Sequence, residues 1–186
     1  MIKYIALLRG INISGKNKVS MPILKETFND LGYKNVTTYL NSGNVIFSSD
    51  ISNEKLIIET IHNSIKKVFN ISIPIYLISY ANLKDLVKNR PNWWGKNNKE
   101  IYDNIIFVIS PYTYEEVYDF IGPPKENIEK IQRYKNNIFW SYNLKDYRKT
   151  NWWSSLAKDG VNNKVTVRTS GTINKILNIC EEKNSI

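Results

Sequence analysis

Cysteine and histidine are almost absent from this chain of 186 residues, which has one of each. A lone cysteine cannot form an internal disulfide, and one thiol with one imidazole leaves no ligand set for a structural zinc ion. No carboxylate cluster has the spacing of a metal site or of an acid/base pair, so we expect no metal and no cofactor. This cysteine usage is typical of the reducing cytosol.

Long apolar runs are also missing. No stretch approaches the roughly 18 apolar residues that a membrane span requires, and the opening MIKYIALLRG lacks the features of a signal peptide. We therefore expect a cytoplasmic protein without a membrane partner. Hydrophobic residues make up 42% and charged residues 23% of the chain, which excludes wholesale disorder.

Acidic residues are too few to balance the basic ones, and the formal charge is +9. Such an excess raises the expectation of an anionic partner such as nucleic acid, a nucleotide or a phosphorylated metabolite. The alternative is a solvated basic surface. The spread of basic residues along the chain and the richness in Asn, Ile, Lys and Tyr, as AT-biased codons produce, favour that alternative.

The first 79 residues alternate between strand and helix patterns. The run IKYIALL predicts a strand covered on both faces, and Ser20 with Pro22 predicts the start of a helix. NVTTYL and NVIFSS predict a hairpin, and a helix begins at Ser52 or Asn53. Pro74 places the strand ISIPIYLIS at a sheet edge, because proline lacks a ladder donor.

The same order returns in the second half, from the strand NIIFVIS to a final helix. We therefore predict an α+β fold of two packed ferredoxin-like (β-α-β-β-α-β) subdomains, residues 1–79 and 101–186, joined by a helix and linker in 80–100. Strands apolar on both faces must bury the second face against the other half, against extra helices, or across a homodimer.

The segment from Arg9 to Ser20, between the first strand and the first helix, is the most informative one. Two glycines, three cations and a helix start would let backbone amides and Arg9 or Lys16 receive an anion. The segment has neither the Walker spacing nor the dinucleotide glycine triplet. In the structural alternative, the glycines permit a tight crossover and the cations face water.

This segment, ALLRGINISGKNKVSM, together with TYLNSGNVIFSS, closely resembles the opening of the domain-of-unknown-function family 1697. The resemblance extends to DYRKTNWWSSLA and KVTVRTSGTINKIL. It implies a cytoplasmic bacterial α/β protein of two related subdomains, and it assigns no activity. Thr169 stands where such proteins usually have asparagine. The positions that match the family's motif are Arg9, Gly10, Asn12, Gly15, Lys16, Ser42, Gly43, Asn44, Lys149, Thr150, Arg168 and Thr172.

Two further groups have a structural and a functional interpretation. Polar side chains around the hairpin turn at Ser42 and Asn44 satisfy local backbone groups or contact a ligand, and the first is favoured. Near Arg168, hydroxyls either cap the last helix, which is favoured, or form a second anion pocket.

Catalytic interpretations are weak. His62 lies in the middle of a predicted helix, with no neighbouring sequence that would make it a general base. Cys180 continues an apolar stripe. A structural role is therefore favoured for both residues. In the pairs Trp93-Trp94 and Trp152-Trp153, adjacent residues cannot all face one core. One indole of each pair is therefore either exposed for stacking or seals the junction of the subdomains, and the second is favoured.

Three hypotheses of function follow. The first is a protein that binds an anionic small molecule or nucleotide through the Arg9 to Ser20 segment. The second is RNA or DNA binding, although the central strands lack the paired aromatics of an RNA-recognition motif. The third is an enzyme acting on an anionic substrate, for which no base is evident. The candidate ligand-binding residues are Arg9, Gly10, Asn12, Ser14, Gly15, Lys16, Lys18, Ser42, Asn44 and Arg168.

Overall fold

The computed structural model describes residues 1–13 and 15–182. The chain divides into two compact units, one of Met1–Lys84 with the residues from Ile176 onward, and one of Asp85–Lys175. The predicted boundaries at 79 and 101 stay predictions. No helix in the described ranges is both long and apolar enough to cross a membrane.

The first unit is built from four strands and two helices that pack on them, with a third helix after the last strand. They are β1 (Ile2–Leu8), α1 (Met21–Asp30), β2 (Lys34–Tyr39), β3 (Asn44–Ser49), α2 (Glu54–Phe69), β4 (Ile75–Ser79) and α3 (Tyr80–Lys88). The sheet has the order β2-β3-β1-β4, and its pairs are antiparallel. Pro74 precedes β4, which lies at the edge of the sheet as predicted.

The second unit repeats this order. Its elements are β5 (Ile101–Val108), α4 (Tyr114–Ile121), β6 (Glu129–Tyr134), β7 (Asn137–Asn143), a 3₁₀ helix (Leu144–Lys149), α5 (Asn151–Leu156), β8 (Val165–Thr169) and the beginning of α6 (Ser170–Glu182). The division between the two units falls within α3 and within α6. The sheet order β6-β7-β5-β8 matches that of the first unit. The prediction of two ferredoxin-like subdomains is therefore confirmed.

Both faces of the central strands are buried. In β1, Tyr4, Ala6 and Leu8 pack in one core with residues of α1 and α2, while Ile5 and Leu7 on the opposite face are also buried. The prediction of a strand covered on both faces is therefore confirmed for β1.

Strand β5 begins at Ile101, three residues before the predicted start at Asn104. The additional residues include Asp103, whose charge is unusual in a buried strand. The carboxylate of Asp103 is buried, accepts a hydrogen bond from Gly95 N at 2.8 Å, and accepts another from the Ser141 hydroxyl. Asp103 and Ser141 also face each other in the β5–β7 ladder. A side chain that satisfies the charge therefore lies directly across the strand pair.

A second buried carboxylate, Glu129, organises the chain around α5. It accepts hydrogen bonds from Trp140 Nε1 at 2.9 Å, from Lys125 N at 3.0 Å and from Asn151 N at 2.6 Å. The amide of Trp152 lies 3.3 Å from the same carboxylate. Glu129 thus joins the start of β6 to β7 and to the beginning of α5.

Replacing Glu129 by Gln should destabilise the second unit by about 2–3 kcal/mol, because an amide nitrogen cannot accept from the donors that the carboxylate now satisfies. Urea denaturation measures the change. Glu126→Gln, at an exposed neighbouring position, is the control and should leave the midpoint unchanged. Equal midpoints for the two variants would contradict this role of Glu129.

The helix starts of the first unit differ in their caps. Asn53 precedes α2, and its Oδ1 accepts from Leu56 N at 3.2 Å. Ser20 stands at the corresponding position of α1, as predicted, but its side chain makes no capping hydrogen bond.

Asn53→Ala should therefore lower the free energy of unfolding by about 1 kcal/mol, the usual loss for a bonded cap. Ser20→Ala should cost clearly less, since its side chain has no capping bond to remove. Denaturation of the two variants side by side makes the comparison, and a larger loss for Ser20→Ala would show that the capping assignment is wrong.

Candidate functional site

The segment between β1 and α1 follows a path that ordinary residues adopt with difficulty. Its backbone has positive φ angles at Gly10 (69°), Asn12 (54°), Gly15 (77°) and Asn17 (46°). Glycine and asparagine are the residues that tolerate this region best. The composition of the segment therefore specifies its conformation, whatever else it does.

The side chain of Asn12 holds the segment together. Its Nδ2 donates to Val19 O at 2.9 Å and to Asn41 O at 3.0 Å, and its Oδ1 accepts from Val19 N at 2.8 Å. The two ends of the segment are thereby joined to each other and to the β2–β3 turn.

Several backbone amides of the segment bond within the protein. Arg9 N donates to Pro74 O at 3.0 Å, Asn12 N to Asn17 O at 3.1 Å, and Lys16 N to Ile13 O at 2.9 Å. Together with Val19 N, these donors are not available to a ligand. The predicted array of amide donors is correspondingly reduced, and the cationic side chains become the more important part of the candidate site.

The cations differ in their surroundings. Lys16 and Lys18 are exposed, whereas the side chain of Arg9 is half-buried, and its burial lowers the pKa of the guanidinium from its usual value. Within the described ranges, no carboxylate pairs with this guanidinium and no group hydrogen-bonds to it. Arg9 is thus a partly desolvated cation, and no described residue supplies a counter-charge to it.

The β2–β3 turn lies beside Arg9. Leu8 N donates to Gly43 O at 2.8 Å. Within the turn, Asn44 Nδ2 donates to Tyr39 O at 2.8 Å and to Ser42 Oγ at 3.1 Å. These local bonds agree with the structural interpretation of Ser42 and Asn44.

The predicted residues are thus partly brought together. Arg9, Gly10 and Asn12 lie next to the turn that contains Ser42 and Asn44, as the bonds of Leu8 and Asn12 require. Ser14 is a predicted ligand-binding residue that lies outside the described residues. Exposed Gly15, Lys16 and Lys18 lie farther along the segment.

Arg168 belongs to the second unit. It is buried in β8, and its Nη1 donates to Thr166 Oγ1 at 2.9 Å and to Val167 O at 2.8 Å. Thr169 Oγ1 accepts from Thr172 N at 3.2 Å. A hydroxyl therefore caps α6, which agrees with the interpretation favoured from the sequence.

The residues considered for catalysis have structural surroundings. His62 Nε2 lies 2.9 Å from Ser72 Oγ, and Cys180 is fully buried. Among the residues that the structure describes, no three His, Cys, Asp or Glu side chains are grouped to hold a metal ion.

The second unit has openings that sequence reasoning missed. A cavity of about 470 Å³ is lined by residues of β6 and β7 and by Trp93, and an open groove of about 550 Å³ lies beside α5. The sequence signal for the groove is the pair of cations Arg148 and Lys149 in DYRKTNWW.

The chain is similar to known proteins over most of its length. Residues 1–139 match the family described as a protein of unknown function (DUF1697). This chain belongs to that family. The matched residues include the Arg9 to Ser20 segment and the β2–β3 turn, and they end before the later segments that resembled the family.

A solved structure is similar to this chain over a longer range. A conserved bacterial protein from Streptococcus pneumoniae has a TM-score of 0.84 and 27% identity, and the similarity covers 96% of this chain and 98% of that one. No curated protein matches the sequence. This structure confirms the fold, and neither comparison assigns an activity.

Gly43 is the position in the matched turn where a side chain would fit least. A Cβ there would lie 2.7 Å from Leu8 Cβ and 2.8 Å from Ile11 Cδ1, and its φ is 77°. Gly32 has a similar φ of 83°, but a Cβ added there would have nothing within 4 Å of it.

Gly43→Ala should therefore destabilise the first unit by about 2–4 kcal/mol, from backbone strain plus overpacking. Gly32→Ala carries only the strain, about 1 kcal/mol. Denaturation midpoints separate the two, and equal losses would mean that the close approach of Gly43 to β1 is not rigid.

Proposed function

We propose that this protein binds an anionic small molecule at the end of β1, with the guanidinium of Arg9 as the principal contact. The observation that carries the proposal is the state of Arg9, half-buried and without a partner among the described residues. Removing a charge from water costs free energy unless another group compensates it. An anion that binds here supplies that compensation.

The surroundings favour a small ligand. Arg9 N is bonded to Pro74 O, and Asn12 holds the adjacent segment, so the backbone beneath the guanidinium is fixed. The space above Gly10 is open, with nothing within 4 Å of a Cβ built there. A fixed backbone at the binding group reduces the ordering that a ligand must impose when it binds.

The chemical class of the ligand follows from the donor. A guanidinium presents its N–H groups in a planar fork that suits the two oxygens of a carboxylate or phosphate. A phosphorylated metabolite or a nucleotide fits this requirement, and exposed Lys16 and Lys18 add long-range attraction for an anion.

Binding is a better proposal than catalysis at this place. A reaction on an anionic substrate would need a general acid or base within reach of the bound molecule. Among the described residues, no titratable side chain bonds to Arg9, and His62 and Cys180 are occupied or buried elsewhere.

Arg9→Met tests the proposal without knowledge of the ligand, because methionine retains an apolar stem and removes the charge. If Arg9 exists to receive an anion, the unliganded variant should unfold at a denaturant concentration equal to or above that of the natural protein. If the guanidinium has a structural role instead, the variant should be less stable.

Binding is then measured by calorimetry against ATP, AMP, pyrophosphate, inorganic phosphate and citrate. For whichever compound binds, Arg9→Met should weaken the affinity about 10- to 100-fold, the loss expected for a charge-assisted contact. Lys18→Met removes one charge from the same segment at an exposed position and serves as the control. Equal weakening by the two variants would indicate general attraction and no site at Arg9.

A further inference from the structure

The exposed surface around the 3₁₀ helix and α5 of the second unit combines cations with aromatic rings. It contains the groove of about 550 Å³, whose cationic lining residues are Lys125, Arg148 and Lys149. No acidic residue lines it in the part of the chain that the structure describes. Lys149 Nζ approaches the Asp146 carboxylate to 2.8 Å. The buried carboxylate of Glu129 accepts from the backbone of the lining residues Lys125, at 3.0 Å, and Asn151, at 2.6 Å.

Arg148 is held against an aromatic ring. Its guanidinium carbon lies 5.3 Å from the ring centroid of Tyr147, and its Nε donates to the Tyr147 hydroxyl at 2.7 Å. These contacts position an exposed cation at the groove while its remaining N–H groups stay available for an anion.

Trp153 continues the surface beyond Tyr147. Its ring packs edge to face on Tyr147 at 5.1 Å and on Tyr142 at 6.1 Å, yet 45% of the residue is exposed. The adjacent Trp152 is fully buried. One indole of this pair therefore supports the core and the other faces solvent.

A second opening adjoins these rings. Tyr142 lines the cavity of about 470 Å³, and half-buried Trp93 lies on the wall of the same cavity. The groove, Tyr147, Trp153 and this cavity are thus connected through direct side-chain contacts.

We propose that this basic-aromatic surface binds single-stranded nucleic acid, with phosphates in the groove beside Lys125 and Arg148 and a base against Trp153. Single strands are bound in this way, by cations that follow the backbone and aromatic rings on which bases stack. A duplex suits the surface less, since its base faces are already stacked on one another. The proposal is independent of the site at Arg9.

The binding of a fluorescein-labelled twelve-residue oligouridylate, measured by anisotropy at low salt, tests the proposal. Trp153→Ala should weaken binding at least about fivefold, the lower end of what loss of one stacked base causes. Trp153→Phe retains a ring and should lose less. Denaturation of each variant confirms that it is folded.

The double variant Lys125→Gln/Arg148→Gln addresses the phosphates. The dependence of log affinity on log salt concentration should become shallower by about 0.7 for each phosphate that the variant no longer neutralises. Lys66→Gln/Lys67→Gln removes two exposed charges from the last turn of α2 and is the matched control, with an unchanged slope expected.

Absence of binding at low salt, or equal weakening by the two double variants, would overturn the proposal. If polyglutamate competes as effectively as unlabelled oligouridylate, the surface binds polyanions in general and the proposal is wrong. If uridine monophosphate competes equally well, the surface is a nucleotide site and the proposal of a single-strand site is also wrong. Trp153→Ala should leave the calorimetric binding of small anions at Arg9 unchanged, so failure here and failure of the small-molecule site are separate results.

Discussion

The side-chain amide of Asn12 is the interaction on which the candidate site of the first unit depends. It bonds to both the carbonyl and the amide of Val19 and also to the β2–β3 turn. This arrangement uses the amide of Val19, a donor that a ligand would otherwise be able to bind. Asn12 therefore organises the segment, and the proposed site depends on the Arg9 guanidinium, which has no counter-charge among the described residues.

The two units have the same topology, but the connection between the first strand and the first helix differs between them. In the second unit β5 and α4 are joined by a short connection, and Thr113 and Glu116 form a capping box at the start of the helix. In the first unit the connection is longer, and the first turn of α1 has no acidic residue. Only the first unit thus has a long, cationic crossover at this place, while the second has its cations and exposed ring around α5. Equivalent folds therefore present their charged surfaces at different positions.

Much of the fold could be predicted from local pattern. The two-sided apolar run of β1, the caps of the helices and Pro74 at an edge strand each follow from side-chain chemistry that acts over a few residues. The early start of β5 could not be predicted, because the buried Asp103 carboxylate depends on donors outside the strand, among them Ser141, which is distant in the sequence. The same holds for the site: the composition of the Arg9 to Ser20 segment indicated cations, but the burial that distinguishes Arg9 from Lys16 depends on tertiary contacts. The tryptophan pairs are visible in the sequence, and only the structure shows which indole of each pair is the more exposed.

The buried thiol of Cys180 has a practical consequence. It is the single cysteine of the chain and lies fully enclosed in α6, so a thiol-specific reagent reaches it only when that helix detaches. The modification rate in native buffer therefore reports the frequency of that local opening, without any engineered label. Since the Lys3 ammonium of β1 donates to the Cys180 carbonyl, opening of the helix also releases a contact with the central strand of the first sheet.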